Sequence, residues 1–414
     1  GVVLLLLLIA VGLAARVYLR RQRESKKYHE QQRRRVKHSI ELNEKLSFPV
    51  ALMPYGDFMQ LERLVPFETQ RQKLVYLDRM QELVSACKDE EELRIVFFSH
   101  EWTSFTEPDH TGRQYAVLGK HTHTTAPLLT PRHPSSPCAT PPHRYAVMKA
   151  ALAEVVRRNG WDTSRVVVWL DIVSVPQANR DTQTLAINSF VQYAANAHAF
   201  VMVVPPVVHR ERMTTCDLST YRRRMWCRAE QLSHFLKNGT SFMWVAAAED
   251  AIRPHDKLAQ TSLVGGSETT HDFLDIFAGD ATVETDKLDL VMPLLGLYAV
   301  LLAERTHSER SDDSESFKAS PKAPVLAQIE RSKERLFPRE LRIAAGKLVA
   351  GDDGAAGPRT TTVDETRELF GDLVERLEAT VLADDEESTR QRARLVQHGR
   401  AHSISRQSSS QSAV

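Results

Sequence analysis

Apolar residues fall along this chain in three rhythms, and each predicts a different element. The first is a continuous run from Gly1 to Ala15, closed by Arg16. A bilayer-crossing helix needs roughly 20 apolar residues, so 1–19 predicts a slightly short transmembrane helix whose outer end precedes Gly1. The second is helical spacing over 48–92 (Leu61, Leu64, Val65; Leu74, Leu77, Met80, Leu83, Val84) with Pro54 and Pro66 as punctuation, which predicts a helical lead-in. The third starts at Leu93. Short apolar runs at 94–98, 166–170, 199–204 and 240–245 read as buried strands, and they alternate with helical spacing at 145–158, 184–197 and 221–236. Asn159-Gly160 and Asn238-Gly239 close helices, and Pro205-Pro206 stops a strand. Such alternation predicts βαβ units in a parallel sheet with helices on both faces, an α/β domain over 93–250.

The remainder of the chain is less regular. Residues 120–143, KHTHTTAPLLTPRHPSSPCATPPH, have no period and predict a disordered insert. Tyr115-Ala116-Val117 recurs beyond it as Tyr145-Ala146-Val147, which also fits an unspliced segment. Its histidines are irregularly spaced with no carboxylate nearby, so no metal site is expected. Residues 251–304 read as an extension of the domain. Within it 288–303 is apolar but interrupted by Asp289, Pro293 and Gly296, which suits a core helix better than a second span. A polar linker is expected over 305–323. Two amphipathic helices, 324–348 and 362–385, are expected within a helical region 324–397, and a disordered tail over 398–414.

The formal charge of +1 hides a strong local asymmetry. RRQRESKKYHEQQRRRVK, from Arg20 to Lys37, predicts a basic juxtamembrane helix over 20–47. By the positive-inside rule the chain is then a single-pass membrane protein with its C-terminal bulk in the cytosol. The alternative, a signal-peptide core cleaved near Gly12-Leu13-Ala14, fits less well because the basic cluster follows the apolar run. The cluster suits anionic headgroups or a solvated flank equally. Cys87, Cys138, Cys216 and Cys227 form no CxxC pair and read as reduced thiols. The lipid bilayer is the expected partner, and nucleic acid is not.

Three clusters lie at predicted strand ends, where open α/β sheets bind ligands. They are Ser99-His100-Glu101-Trp102, Asp171 with its following loop, and Trp226-Cys227-Arg228-Ala229-Glu230. The order FFSHEW, VVWLDIVSVPQ, LAINSFVQYAANAHAFVMVVP, RRRMWCRAEQL resembles the TIR domain over about 93–247, and WLDIVSVPQANRD is also similar to the TIR-like heterokaryon-incompatibility domain. The resemblance implies a flavodoxin-like α/β fold, self-association through the domain, and a site that cleaves NAD as substrate with no bound cofactor. Glu230 takes the catalytic position of that family. Ser99 and Asp171 match its strand-end serine and aspartate, and His100, Trp102, Trp226 and Arg228 are the remaining candidates for holding NAD.

Cleavage of the nicotinamide–ribose bond passes through an oxocarbenium-like state that an ionised carboxylate stabilises. Arg222, Arg223, Arg224 and Arg228 lie within about two helical turns of Glu230 and are expected to favour that form or to hold phosphates. The plainer alternatives stay open. They are Glu230 in a surface ion pair with Arg223 or Arg224, Trp226 and Trp102 as core residues, His100 simply packed, and Cys227 as a small buried apolar group. So two functions are expected, an NAD glycohydrolase in stress or defence signalling or a catalytically silent interaction module. A phosphorelay receiver fits less well, since it needs paired acids after the first strand.

Overall fold

The computed structural model describes residues 2–85, 93–105, 144–240, 242–255, 272–281, 286–310, 322–344, 347–349, 365–381 and 383. The expected insert at 120–143 and tail at 398–414, most of the linker, and the glycine-containing stretch 351–357 between the two expected C-terminal helices fall outside them.

After α1 (Val2–Glu44) the chain enters β1 (Val50–Pro54) and β2 (Val75–Leu77). It continues through β3 (Arg94–His100), α2 (Arg144–Asn159), β4 (Val166–Leu170), α3 (Arg180–Ala195) and β5 (Ala199–Val203). A small hairpin follows, β6 (Val207–Val208) and β7 (Thr215–Cys216), then α4 (Leu218–Arg223), α5 (Met225–Asn238), β8 (Met243–Ala248) and β9 (Ala251–Pro254).

Seven strands form one mixed sheet in the order β2-β1-β4-β3-β5-β8-β9. Its centre, β4-β3-β5-β8, is parallel throughout, and these are the four apolar runs legible in the sequence. The edges differ from the expected all-parallel sheet: β1 and β2 on one side and β9 on the other pair antiparallel. The expectation of a purely helical lead-in over 48–92 is therefore corrected. Val50 to Met53 are fully buried and extend the sheet, because a five-residue apolar run is long enough for a strand and too short for a helix.

Side chains alternate across the sheet, as a period of two requires. Ile95, Phe97, Trp169, Phe200 and Met202 enter one core with α3 and α5, while Val96, Phe98, Val168, Val201 and Val203 enter another with α2. Phe97 is stacked between Trp169 at 4.1 Å and Phe200 at 5.3 Å. Burial of each such side chain contributes about 1.5–3 kcal/mol. Helices end where the sequence signals: Asn179 caps the start of α3 through its side chain, and Gly160 and Gly239 adopt φ of +64° and +65° beyond α2 and α5. The single helix expected over 221–236 is two, because Arg224 is extended (φ −71°, ψ 124°) and bridges to Asp280.

Beyond the sheet, α6 (Val291–Arg310) is the expected core helix, with Pro293 in its first turn and Leu294, Leu295 and Tyr298 fully buried. α7 (Lys322–Arg331) precedes a three-stranded antiparallel sheet of β10 (Glu340–Ala344), β11 (Lys347–Val349) and β12 (Glu365–Glu368), with β10 in the centre. The expectation of unbroken helices over 324–348 and 362–385 is corrected there. In ELRIA, Leu341 and Ile343 alternate with polar residues, which is the strand period.

α1 packs along α6, with Val36 buried and Ile40 partly buried in the core. Every described side chain from Gly12 to Gln31 is exposed, including Leu13, Val17, Tyr18 and Leu19. No helix among the described residues is long and apolar enough to cross a membrane. The side chains of 1–11, on which the expected span rests, lie outside them.

Candidate active site

The parallel strands end on one edge, and the strand order places the chain's first parallel strand, β3, between its second, β4, and its third, β5. Crossovers leave β3 on opposite faces, which opens a crevice at the strands' carboxyl ends. A cavity of about 320 Å³ occupies this position. It is lined by His100 at the end of β3 and Trp102 just beyond it, Asp171 after β4, and Trp226, Cys227 and Glu230 from α5. The three clusters read from the sequence thus meet in space.

Glu230 lies on the second turn of α5 and reaches back to β3. The Ser99 hydroxyl donates to Glu230 Oε2 at 2.5 Å, and Tyr221 Oη lies 2.6 Å from Ser99 Oγ. Since the Ser99 proton points to Glu230, the Tyr221 hydroxyl is the donor to Ser99. Burial pushes the Tyr221 hydroxyl well above its ordinary value, so it keeps that proton. Burial also pushes the Glu230 carboxyl up to about 8; the Ser99 hydrogen bond opposes this, and the Asp171 charge adds to it. The expectation that neighbouring arginines keep Glu230 ionised is therefore corrected. Desolvation dominates, and Glu230 is mainly neutral at pH 7. No ion pair of Glu230 with Arg223 or Arg224 is present among the described residues.

Asp171 is the opposite case. Its Oδ1 lies 3.0 Å from His100 Nε2 and accepts from Ile172 N–H at 2.6 Å, while Oδ2 accepts from Trp102 Nε1 at 2.6 Å. Burial by itself raises an acid's pKa. Here the His100 imidazole and the Trp102 and Ile172 N–H groups outweigh it, and the Asp171 carboxyl lies below its ordinary value. His100, with no partner legible in the sequence, is thus paired with Asp171 through Nε2, and its Nδ1 makes no hydrogen bond among the described residues. Trp102 holds Asp171 by its indole N–H.

Trp226 is half-buried, packs edge-on against Phe190 at 5.5 Å and donates to Asp286 Oδ2 at 3.3 Å. It is both core anchor and cavity wall. Arg228 lies outside the cavity lining: its Nε donates to the Arg222 carbonyl and its Nη1 to the Asp275 carbonyl, each at 2.5 Å. Its place is taken by Arg212 and Arg224. Arg212 comes from the β6–β7 hairpin, which folds against the post-β3 loop through Arg210 N–H to the Thr103 carbonyl and Glu211 to the Phe105 N–H. The Arg212 guanidinium lies 5.2 Å over the Phe105 ring.

Sequence reasoning missed Tyr221 and Arg212, whose positions depend on tertiary packing. The one local signal was Asp217-Leu218-Ser219-Thr220, a capping box that starts α4 and aims Tyr221 inward. Comparison of the chain with known protein families, characterised proteins and solved structures finds no match.

Proposed function

We propose that residues 93–250 form a TIR-like, flavodoxin-like domain whose cavity hydrolyses the nicotinamide–ribose bond of NAD. The observation that carries this reading is the placement of Glu230, bonded to Ser99 in an aromatic-walled cavity at the carboxyl edge of the parallel strands. Trp102, Trp226 and Phe105 offer faces for a planar ring, and Arg212 and Arg224 offer cations for a diphosphate. Nicotinamide carries a positive ring charge in NAD. Bound beside Glu230, that charge draws off the carboxyl proton and leaves the anion that an oxocarbenium-like state requires. The C1′–N bond then breaks with its electron pair going to the ring, and water adds to the ribosyl carbon and gives up one proton to solvent.

The exposed apolar residues of α1, continuing the run from Gly1, and the basic residues that follow support a membrane anchor with the domain on the cytosolic side. Self-association through the domain belongs to the same reading. The test is nicotinamide release from NAD by the full chain, free and clustered on vesicles, with Glu230→Ala as control. Release abolished by the substitution is expected, and absence of release under both conditions overturns the enzymatic reading.

A second reading is a silent interaction module at the membrane. The observation favouring it is that Glu230 is neutral at rest while Arg228, the expected phosphate ligand, is committed to backbone carbonyls.

A further inference from the structure

Three carboxyl groups line the cavity, and the surroundings of two of them, Glu230 and Asp171, divide their chemistry. Glu230 is bonded to a hydroxyl, with a second hydroxyl behind it, and no cation pairs with it among the described residues. Asp171 receives N–H groups from a ring, an indole and the backbone. A buried carboxyl with no cation beside it keeps its proton even against one hydroxyl donor, and one that three N–H groups point at gives it up. Sites that cleave glycosidic bonds with a proton donor and a separate carboxylate are built in this way. A cationic pyridinium needs no proton to depart, so a proton donor in this position suits a different leaving group.

We infer that the cavity also hydrolyses N-ribosides whose leaving base is neutral and must be protonated, purine nucleotides foremost, with Glu230 giving its proton to the base and Asp171 taking one from water. This rests on the reading of the cavity as a glycosidic-bond site. In the step, the C1′–N9 bond breaks with its electron pair passing to the purine, and the Glu230 proton moves to a purine ring nitrogen. Water oxygen bonds to C1′ as Asp171 accepts one water proton. The products are the free base and ribose 5-phosphate, and proton exchange with solvent restores Glu230 and Asp171.

The nucleotide, and not the bare nucleoside, is favoured by Arg212. It lines the cavity with no carboxylate partner among the described residues, and a guanidinium matches a phosphate in two-point hydrogen bonding. The other titratable or charged groups around the cavity are His100, Glu101, His209, Arg224 and Cys227, with Tyr221 behind Ser99. Of these, Tyr221 is held in its protonated form by burial. His100 is a positioning residue that acts through Asp171.

The test uses the full chain with inosine 5′-monophosphate and, separately, NAD, following hypoxanthine and nicotinamide release from pH 5 to 9. Hypoxanthine release is expected to fall above pH 8 as Glu230 loses its proton, whereas nicotinamide release rises over the same interval. Asp171→Asn is expected to lower kcat for hypoxanthine release by about 100-fold or more with little change in KM, while an unchanged melting temperature confirms that the variant is folded. Nicotinamide release without hypoxanthine at any pH overturns this inference and leaves the NAD reading standing. Hypoxanthine release that climbs steadily through pH 8 in the unsubstituted chain also overturns it, whatever the variant does. Release of neither base removes both readings.

Discussion

Ser99 and Glu230 are 131 positions apart and joined at 2.5 Å, the hydroxyl donating to Oε2. This bond links the end of a central strand to the second turn of α5, and it is the contact that most favours the ionised form of Glu230. Tyr221 fixes its direction by donating to Ser99 from behind.

Ser99→Ala removes that donor. The Glu230 carboxyl then rises further above about 8, because only the charged form loses an interaction. A hydrogen bond to a charged group contributes about 1.5–3 kcal/mol. The rising limb of nicotinamide release is therefore expected to move up by about one pH unit or more. A limb that stays in place shows that another group titrates there.

Glu230→Gln tests the same desolvation through stability. The folded-state value lies near 8 against an ordinary 4.5, so the unfolded chain sheds this proton first as pH rises. The stability associated with neutral Glu230 is full below about pH 4.5 and is lost between there and about pH 8. The glutamine variant, which has no proton to lose, is expected to match the unsubstituted chain at pH 5 and to exceed it at pH 9. The difference is on the order of 3 kcal/mol once the partial exposure of Glu230 is allowed for. Urea titrations at the two pH values measure it, and equal differences at both show that Glu230 does not titrate on unfolding.

What was legible in the sequence follows from how local each signal is. The runs at Ile95–Phe98, Val166–Leu170 and Phe200–Val203 are apolar on both faces, which only a central parallel strand requires, and they stand where expected. Because such strands converge, Ser99, Asp171 and Glu230 were also placeable on one edge. β2 was not legible: three residues on a sheet edge, with Tyr76 exposed, carry no period. The protonation of Glu230 was misjudged for a different reason. Counting charges along a helix found four nearby arginines, but Arg228 points to carbonyls, and the desolvation by β3 and α4 exists only in the folded chain. The pairing of His100 with Asp171 crosses 71 positions and had no sequence signal.

Gly279→Ala is expected to disturb the site without touching it. A Cβ at Gly279 would lie 2.8 Å from Met225 Cα and 2.9 Å from the Ile276 carbonyl oxygen, both backbone atoms at the start of α5 or its brace. Met225 N–H also donates to the Asp280 carbonyl, so the segment and the helix move together. Overpacking of this kind costs about 1–3 kcal/mol. A lowered melting temperature is expected together with a loss of nicotinamide release, since Glu230 is carried on α5. A variant with unchanged melting and release shows that the brace yields freely.

The docking of α1 gives a prediction about that helix. Gln32 donates to Glu368 Oε1 at 2.9 Å, Arg35 donates to the Leu369 carbonyl at 3.3 Å, and Arg376 reaches His29. Val36 is 2% exposed where α1 meets the core. From Arg20 to Gln32 the helix is continuous, about 18 Å at 1.5 Å per residue. Under the proposed anchor at 1–19, such a helix would act as a rigid stalk instead of a tether. Val36→Asp places an uncompensated carboxylate in that contact, an unfavourable burial of several kcal/mol if the helix stays docked. The helix is expected to detach, and amide hydrogen exchange across 28–42 and 365–381 should rise together while β3, β4 and β5 remain protected. Exchange that rises only within 28–42 would show that the C-terminal segment holds its place without α1.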